Sequence, residues 1–188
     1  HDDLAAATIT GTRTSGASTL YINGIETAGG GVPGTVMAAL PRALAERPGA
    51  TLVVCFGAGN TFRAASRMAG GGEVHAVELV DGLVERMRFF YPDAESHLRA
   101  PGRRIFVEDG RQLLLRAPRR YGAIIVDAAP PLFSSGAVNL YTVEFLRLTR
   151  RRLAEGGLFV LWLPLPAFAD DYWTILRGVT ETYPHVAA

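Results

Sequence analysis

The 188-residue chain is 48% hydrophobic, which is enough for one well-buried core with a small appendage. Its formal net charge of +1 provides no overall attraction to nucleic acid or to an anionic membrane, so neither is expected as a partner. All 19 of its basic residues are arginines, which excludes P-loop phosphate binding and pyridoxal chemistry because both depend on a lysine.

The N-terminal part predicts a β-hairpin followed by a helix. The segment STLYING, at residues 18–24, alternates and ends in Asn-Gly, which is typical of a strand entering a tight turn, and the following IETA would return beside it. A glycine-rich breaker then precedes a helix at residues 35–46. We therefore predict two parts, with the hairpin and helix in residues 1–47 and the main domain in residues 48–188.

The main domain alternates between strand-like and helix-like segments. Strands are predicted at 51–56, 73–79, 104–109, 122–128 and 157–163. Helices are predicted at 61–69, 81–90, 110–116, 142–154 and 169–183. Strands rich in Val, Ile and Leu between amphipathic helices predict a Rossmann-like, doubly wound α/β fold with a mostly parallel sheet. In such folds ligands bind beyond the carboxyl ends of the strands.

Those strand ends hold glycines or acids. Gly57 and Gly59 follow the first strand, Glu78 closes the second, Asp109 the third and Asp127 the fourth. The glycines let the backbone approach a ligand, and the next helix points its N-terminal N–H groups to the same place. Glu78 has the spacing from the glycine turn at which a nucleotide-binding fold presents an acid to ribose hydroxyls. Each aspartate could equally cap the helix that follows it.

Other features suggest a chain without metal and without membrane spans. Cys55 lies in an apolar strand-like run, which favours a buried thiol over a nucleophile. The four histidines show no metal-ligand spacing, so no metal is expected. No apolar run reaches the roughly 20 residues of a membrane-spanning helix, so we expect a cytoplasmic protein. The terminal YPHVAA resembles the start of another strand, and we expect the chain to be a fragment of something longer.

Five segments together resemble the spermidine synthase family, whose members have a class I methyltransferase-like fold. In chain order they are VVCFGAGNT, AVEL, VEDGRQLL, AIIVDAAPP and NLYTVEFLRLTRRRLAEGGLFVLWL. The similarity covers roughly residues 18–186, and its most specific parts are EDGRQ and LYTVEF with RRLAEGG. The chain looks closest to the spermidine-synthase-like proteins that are often fused to membrane segments, which fits a fragment. A homodimer is compatible with this resemblance.

The resemblance implies a sulfonium nucleoside as co-substrate, either decarboxylated S-adenosylmethionine or S-adenosylmethionine itself. Gly57 and Gly59 would face its methionine-derived part, and Glu78 would bind the ribose hydroxyls. Asp109, together with the backbone of Gly110, would recognise the adenine.

The resemblance also implies an amine acceptor. Asp127 matches the acid that helps receive a proton from the attacking amine, and Asn139 and Tyr141 could line the acceptor pocket. Tyr141 could equally be a packing residue at a helix start.

Two departures from the family pattern concern that acceptor. The family usually has a second acid three residues after the first, where this chain has Pro130 in DAAPP. The segment before the first strand, GGGVPGTVMAAL, contains neither the tyrosine nor the histidine that usually shape the amine pocket. Because a buried ammonium without a partner is costly, we expect aminopropyl transfer to an amine other than putrescine, or poor use of putrescine.

Two other functions remain open. A methyltransferase on the same scaffold is one, since DAAPPLF loosely resembles the Asp-Pro-Pro-Tyr loop of amino-group methyltransferases. A nucleoside-binding domain that has lost catalysis is the other, favoured by the missing amine-site residues.

Overall fold

A computed structural model of the chain contains a small antiparallel sheet and a larger parallel one. It describes residues 9–14, 17–22, 25–29, 31–45, 49–128, 135–163 and 169–187. The small sheet has the order β1 (Ile9–Thr14), β2 (Ala17–Ile22) and β3 (Ile25–Gly29). Antiparallel pairing of β2 with β3 confirms the predicted hairpin, whose Asn-Gly turn lies outside the described residues. β1 was not predicted, since its polar sequence ITGTRT lacks an apolar alternation and becomes a strand by pairing with β2.

Five strands form the larger sheet, and every neighbouring pair in it is parallel. They are β4 (Thr51–Val54), β5 (Val74–Glu78), β6 (Arg103–Val107), β7 (Tyr121–Val126) and β8 (Leu153–Leu161). The strand order is β6-β5-β4-β7-β8, which confirms the doubly wound α/β prediction. From β4 the chain adds β5 and β6 on one side of the sheet and then returns to add β7 and β8 on the other side. The crevice between β4 and β7 is therefore the expected ligand position.

The described helices lie between these strands and around them. They are α1 (Val32–Leu44), α2 (Asn60–Met68), α3 (Leu83–Phe90), α4 (Ala94–Leu98), α5 (Gly110–Arg116), α6 (Ser135–Val138), α7 (Val143–Arg152) and α8 (Ala169–Thr182). The short helices α4 and α6 were not predicted. None of the described helices is long and apolar enough to cross a membrane.

Two predicted boundaries near the C-terminus were wrong. The predicted helix 142–154 ends at Arg152, because Leu153 already pairs with Tyr121 in the sheet and its buried side chain joins the core. The strand expected to begin within YPHVAA, residues 183–188, is not formed in residues 183–187. Pro184 in that segment has no backbone N–H to donate to a neighbouring strand.

Alternating residues of the central strands build one core on each face of the sheet. Leu52 and Val54 of β4 face α5 and α7, in a cluster that includes Leu114 and Phe145. Val53 faces the other way, in a cluster that includes Met37, Phe62 and Met87 of α1, α2 and α3. The sheet is thus covered on both sides, and the exposed carboxyl ends of its strands are left for function.

The small sheet packs beside those carboxyl ends. Leu20 of β2 is fully buried against Ala58, which lies in the glycine turn, and against Leu83 of α3. The Arg13 guanidinium of β1 donates to the Phe89 carbonyl and lies over the Phe89 ring. Residues 46–48 are outside the described ranges, so the domain boundary there stays a prediction.

Candidate functional site

Glu78 joins the loops that follow β4 and β5. The N–H of Gly57 donates to Oε2 of Glu78 at 3.0 Å, and the N–H of Val80 donates to Oε1 at 2.9 Å. The Glu78 side chain is buried, with 7% of the residue's surface exposed. Because each carboxylate oxygen can accept more than one hydrogen bond, Glu78 can hold the turns and still accept from a ligand.

The glycine turn between β4 and α2 contains two glycines with different tasks. Gly57 (φ +55°) and Gly59 (φ +88°) both adopt the left-handed conformation that favours glycine. A Cβ on Gly57 would meet no atom within 4 Å, so a ligand has room to approach there. A Cβ on Gly59 would lie 2.9 Å from Cγ of Met87, so Gly59 is required by packing.

Asp127 lies directly after β7 and is bonded to a side chain of α2. Its backbone N–H donates to the Val54 carbonyl, which places the residue beside the end of β4. The Thr61 hydroxyl donates to Oδ2 of Asp127 at 2.5 Å. Burial raises the pKa of Asp127, and the hydrogen bond from Thr61 opposes that rise. The sequence analysis did not identify Thr61 as a functional residue, although a hydroxyl in the first turn of a helix that follows a glycine loop could have indicated one.

Cys55 lies among the three acids. It is half-buried, and its φ of +70° is unusual for a side chain other than glycine. Burial raises the pKa of its thiol well above the ordinary value, and the charges of Glu78, Asp127 and Asp109 raise it further. All three predicted acids are therefore close enough to Cys55 to raise its pKa, and Cys55 stays protonated, as expected for a thiol that is not a nucleophile.

Asp109 caps α5, as one of its two sequence interpretations allowed. Its Oδ1 accepts a hydrogen bond from the Gln112 N–H at 2.9 Å. A Cβ on the next residue, Gly110, would lie 2.8 Å from Cγ1 of Val54, so this glycine lets α5 pack closely on β4. Recognition of adenine by Asp109 and the Gly110 backbone stays a prediction.

Tyr141 and Asn139 differ in their surroundings. Tyr141 is buried, and its hydroxyl donates to the carbonyls of Ala128 and Trp162, each at 3.2 Å. Burial raises the pKa of Tyr141, and Cys55 and Asp127 are near enough to raise it further. Tyr141 therefore packs at the helix start and also borders the site. Asn139 is exposed, and a role for either residue in the acceptor pocket stays a prediction.

A family model described as "Spermine/spermidine synthase domain" matches residues 34–173, which include the glycine turn and all three acids. The chain belongs to the spermine/spermidine synthase family. Polyamine aminopropyltransferase of Korarchaeum cryptofilum is 30% identical over 140 residues, covering 73% of this chain and 43% of the relative. That of Bacillus subtilis is 27% identical, covering 79% of this chain and 54% of the relative. The chain spans about half the length of these curated relatives.

Solved structures share the spermidine synthase fold with this chain. A spermidine synthase in complex with the transition state analogue AdoDATO has a TM-score of 0.80 at 16% identity, covering 94% of this chain and 66% of that one. A probable spermidine synthase from Corynebacterium glutamicum has a TM-score of 0.74 at 21% identity, covering 96% and 69%. Human methyltransferase-like protein 13, in complex with SAH, has a TM-score of 0.60 at 20% identity, covering 84% and 72%. The last match confirms the methyltransferase-like fold.

Proposed function

We propose that this chain binds the nucleoside and accepts the proton in an aminopropyltransferase that uses decarboxylated S-adenosylmethionine and handles putrescine poorly. The observation that carries the proposal is that the glycine turn held by Glu78 leads into α2, whose Thr61 is bonded to the half-buried Asp127 at the same edge of the sheet. Membership of the family and the names of the relatives support the type of reaction.

The nucleoside would lie over the glycine turn. Glu78 is oriented by two backbone N–H groups, so its remaining lone pairs are in place for two ribose hydroxyls without a further loss of side-chain entropy. The open space at Gly57 lets the ligand contact the backbone there. Asp109, held by its cap to α5, would present its carboxylate to the adenine amino group.

The chain's chemical task is to align an amine and remove its proton. The bound donor supplies a carbon attached to positive sulfur, so the nitrogen–carbon bond forms as the carbon–sulfur bond breaks and its electron pair stays on sulfur. Asp127 would accept the proton that the amine loses, directly or through one water molecule. Its position beside the end of β4, at the edge where such folds bind ligands, supports this role.

The preference among amines follows from the acids at this edge. Within the described residues, Glu78 and Asp109 are bonded to backbone N–H groups, whereas Asp127 is bonded to a side-chain hydroxyl. Asp127 is therefore the acid best placed to meet an amine. Since position 130 is proline, the far ammonium of a diamine would lack its usual partner. Burying such an ammonium unpaired costs several kcal/mol, so an acceptor with one amine should react better.

Calorimetry tests the nucleoside part of the proposal. The chain is titrated with decarboxylated S-adenosylmethionine, S-adenosylmethionine and methylthioadenosine. We expect the decarboxylated donor and methylthioadenosine to bind, with S-adenosylmethionine weaker. Preferential binding of S-adenosylmethionine would favour methyl transfer instead, and failure of all three to bind would refute the nucleoside site.

An amine competition tests the acceptor part. Putrescine and n-butylamine have the same carbon chain but differ in the second amine, so their kcat/KM ratio isolates its cost. We expect the kcat/KM for putrescine to be lower than that for n-butylamine, because a cost of several kcal/mol for the unpaired ammonium corresponds to orders of magnitude in rate. Asp127→Asn should abolish transfer to both and leave methylthioadenosine binding intact. Efficient putrescine turnover by the unmodified chain would overturn the acceptor preference.

A further inference from the structure

The hydroxyl of Thr61 is bonded to the acid assigned to proton transfer. Thr61 lies in the first turn of α2, and only 1% of its surface is exposed. Its Oγ1 donates to Oδ2 of Asp127 at 2.5 Å, across 66 positions of the chain. Hydrogen bonds from a hydroxyl to a carboxylate at such a distance belong to the strong, charge-assisted kind.

Packing on the α1 side holds the Thr61 hydroxyl in place. A Cβ on Gly34 of α1 would lie 2.5 Å from Oγ1 of Thr61 and 3.0 Å from its backbone nitrogen. The two helices therefore meet at Gly34, and α1 closes off the space on that side of the hydroxyl. Thr61 cannot turn toward α1, which favours the rotamer that reaches Asp127.

The start of α2 is also anchored on its far side. The Arg63 guanidinium donates two hydrogen bonds to Asp93, both at 2.8 Å, and lies over the Tyr91 ring at 4.6 Å from its centroid. A planar pair with two parallel bonds restrains orientation as well as distance. The first turn of α2 is thus fixed from two directions, as a residue that orients another requires.

We propose that Thr61 is a positioning residue that holds the Asp127 carboxylate in place and in its ionised form, ready to accept the proton of the attacking amine. The inference rests on the proposed function of Asp127. Thr61 keeps its own proton throughout, and the proton that the amine loses moves to the Asp127 carboxylate.

The need for such a residue comes from burial. Burial raises the pKa of Asp127, which favours the protonated form that cannot act as a base, and the hydrogen bond from Thr61 lowers it again. Glu78 and Asp109 share the neighbour Cys55 with Asp127 and, as acids, supply no positive charge. The titratable groups that interact directly with Asp127 in the described part of the chain are Cys55, after β4, and Tyr141, before α7. Burial raises the pKa of both, so both are neutral near pH 7 and neither supplies a positive charge. Among the described residues, the Thr61 hydroxyl is then the group whose hydrogen bond favours the ionised carboxylate.

The test compares Thr61→Val, which removes the hydroxyl at constant size, with Thr61→Ser, which keeps it. Thr149→Val is the matched control, since Thr149 is another fully buried threonine whose hydroxyl is bonded elsewhere, to the Leu146 carbonyl at 2.8 Å. The Asp127 pKa is followed by carboxyl carbon NMR in the whole chain with methylthioadenosine bound. Asp127→Asn assigns the signal. The pH dependence of kcat and the KM for the donor are measured in parallel.

We expect Thr61→Val to raise the Asp127 pKa and to move the acid limb of the kcat profile upward. At pH values on the acid side of the profile, kcat should fall roughly tenfold relative to the unmodified chain, with the donor KM nearly unchanged. Thr61→Ser should keep the Asp127 pKa and the kcat of the unmodified chain, and Thr149→Val should change neither of these quantities. If Thr61→Val does not fold, Thr61→Ala removes the hydroxyl without adding any atom.

Two negative results have different meanings. An unchanged Asp127 pKa in Thr61→Val, or in Thr61→Ala, would overturn the role of Thr61 whether or not transfer occurs. Absence of transfer by the unmodified chain with every donor and amine would refute the proposed function, while the NMR titration would still decide whether Thr61 controls Asp127.

Discussion

The carboxylate of Glu78 accepts a hydrogen bond from the N–H of Gly57 at 3.0 Å, so the acid that ends β5 fixes the turn that follows β4. The same carboxylate also accepts from Val80, in the loop that follows its own strand. Glu78 thus has a structural task whether or not a ligand is present. Substitutions at this position should change stability and binding together.

Glu78→Gln should lower both the free energy of unfolding and the affinity for methylthioadenosine. The amide replaces one acceptor oxygen by an NH₂ group, which would face a backbone N–H donor. We expect losses of about 1–3 kcal/mol in stability and about 1.5–3 kcal/mol in binding, measured by urea denaturation and calorimetry. Glu85→Gln, at an exposed position of α3, should change neither. Unchanged binding in folded Glu78→Gln would remove Glu78 from the nucleoside site.

Asp109 can be tested for adenine recognition apart from its cap. In the unmodified chain methylthioadenosine should bind about 1–3 kcal/mol more tightly than its inosine counterpart, which presents an acceptor in place of the amino group. Asp109→Asn should abolish this preference while the fold stays stable, because asparagine caps a helix as well as aspartate. Calorimetry with both ligands measures the preference. Equal binding by the unmodified chain would mean that Asp109 is only a helix cap.

Asp127→Asn should raise the free energy of unfolding at neutral pH. Burial raises the folded-state pKa of Asp127, so the folded chain binds its proton more readily than the unfolded chain. The charged form therefore destabilises the fold above the folded-state pKa, and this cost disappears as the pH falls below the unfolded value. The stability gained in Asp127→Asn should shrink with acidification, as measured by urea denaturation at several pH values.

Asp93→Asn is the control with the opposite sign. The hydrogen bonds from Arg63 are the main cause that lowers the pKa of Asp93 to about 2, so its charged form stabilises the fold. Asp93→Asn should lose stability at neutral pH, and the loss should fade as the pH falls from the unfolded-state pKa to the lowered folded-state pKa. The burial argument for Asp127 fails if both variants change stability in the same direction with pH.

Gly34→Ala should destabilise the fold, because the new Cβ would lie 2.5 Å from Oγ1 of Thr61 and 3.0 Å from a backbone nitrogen that cannot move away. We expect a loss of about 1–3 kcal/mol in the free energy of unfolding. Gly178→Ala in α8 is the matched control, since its Cβ would meet only the side-chain carbons of Val143 and Leu146, at 3.3 Å and 3.4 Å. Its stability should stay within about 1 kcal/mol of the unmodified chain. Equal effects of the two substitutions would contradict close contact at Gly34.

Local patterns identified most of the elements and the residues at their ends. The runs of Val, Ile and Leu predicted all five strands of the large sheet, and glycine, glutamate or aspartate at four strand ends predicted the edge that carries the site. The cap formed by Asp109 was among the predictions because its partner, Gln112, is three residues away. Features of this kind depend on neighbours in the chain and can be read from sequence.

The contacts across the site depended on tertiary structure. Asp127 reaches Thr61 because β7 pairs with β4, and Glu78 reaches Gly57 because β5 pairs with β4 on the other side. The start of β8 at Leu153 likewise follows from its pairing with Tyr121. Sequence periodicity determined that these segments are strands and which acids end them. The tertiary structure decided which strands are neighbours, because strand pairing depends on packing between segments that are far apart in the chain.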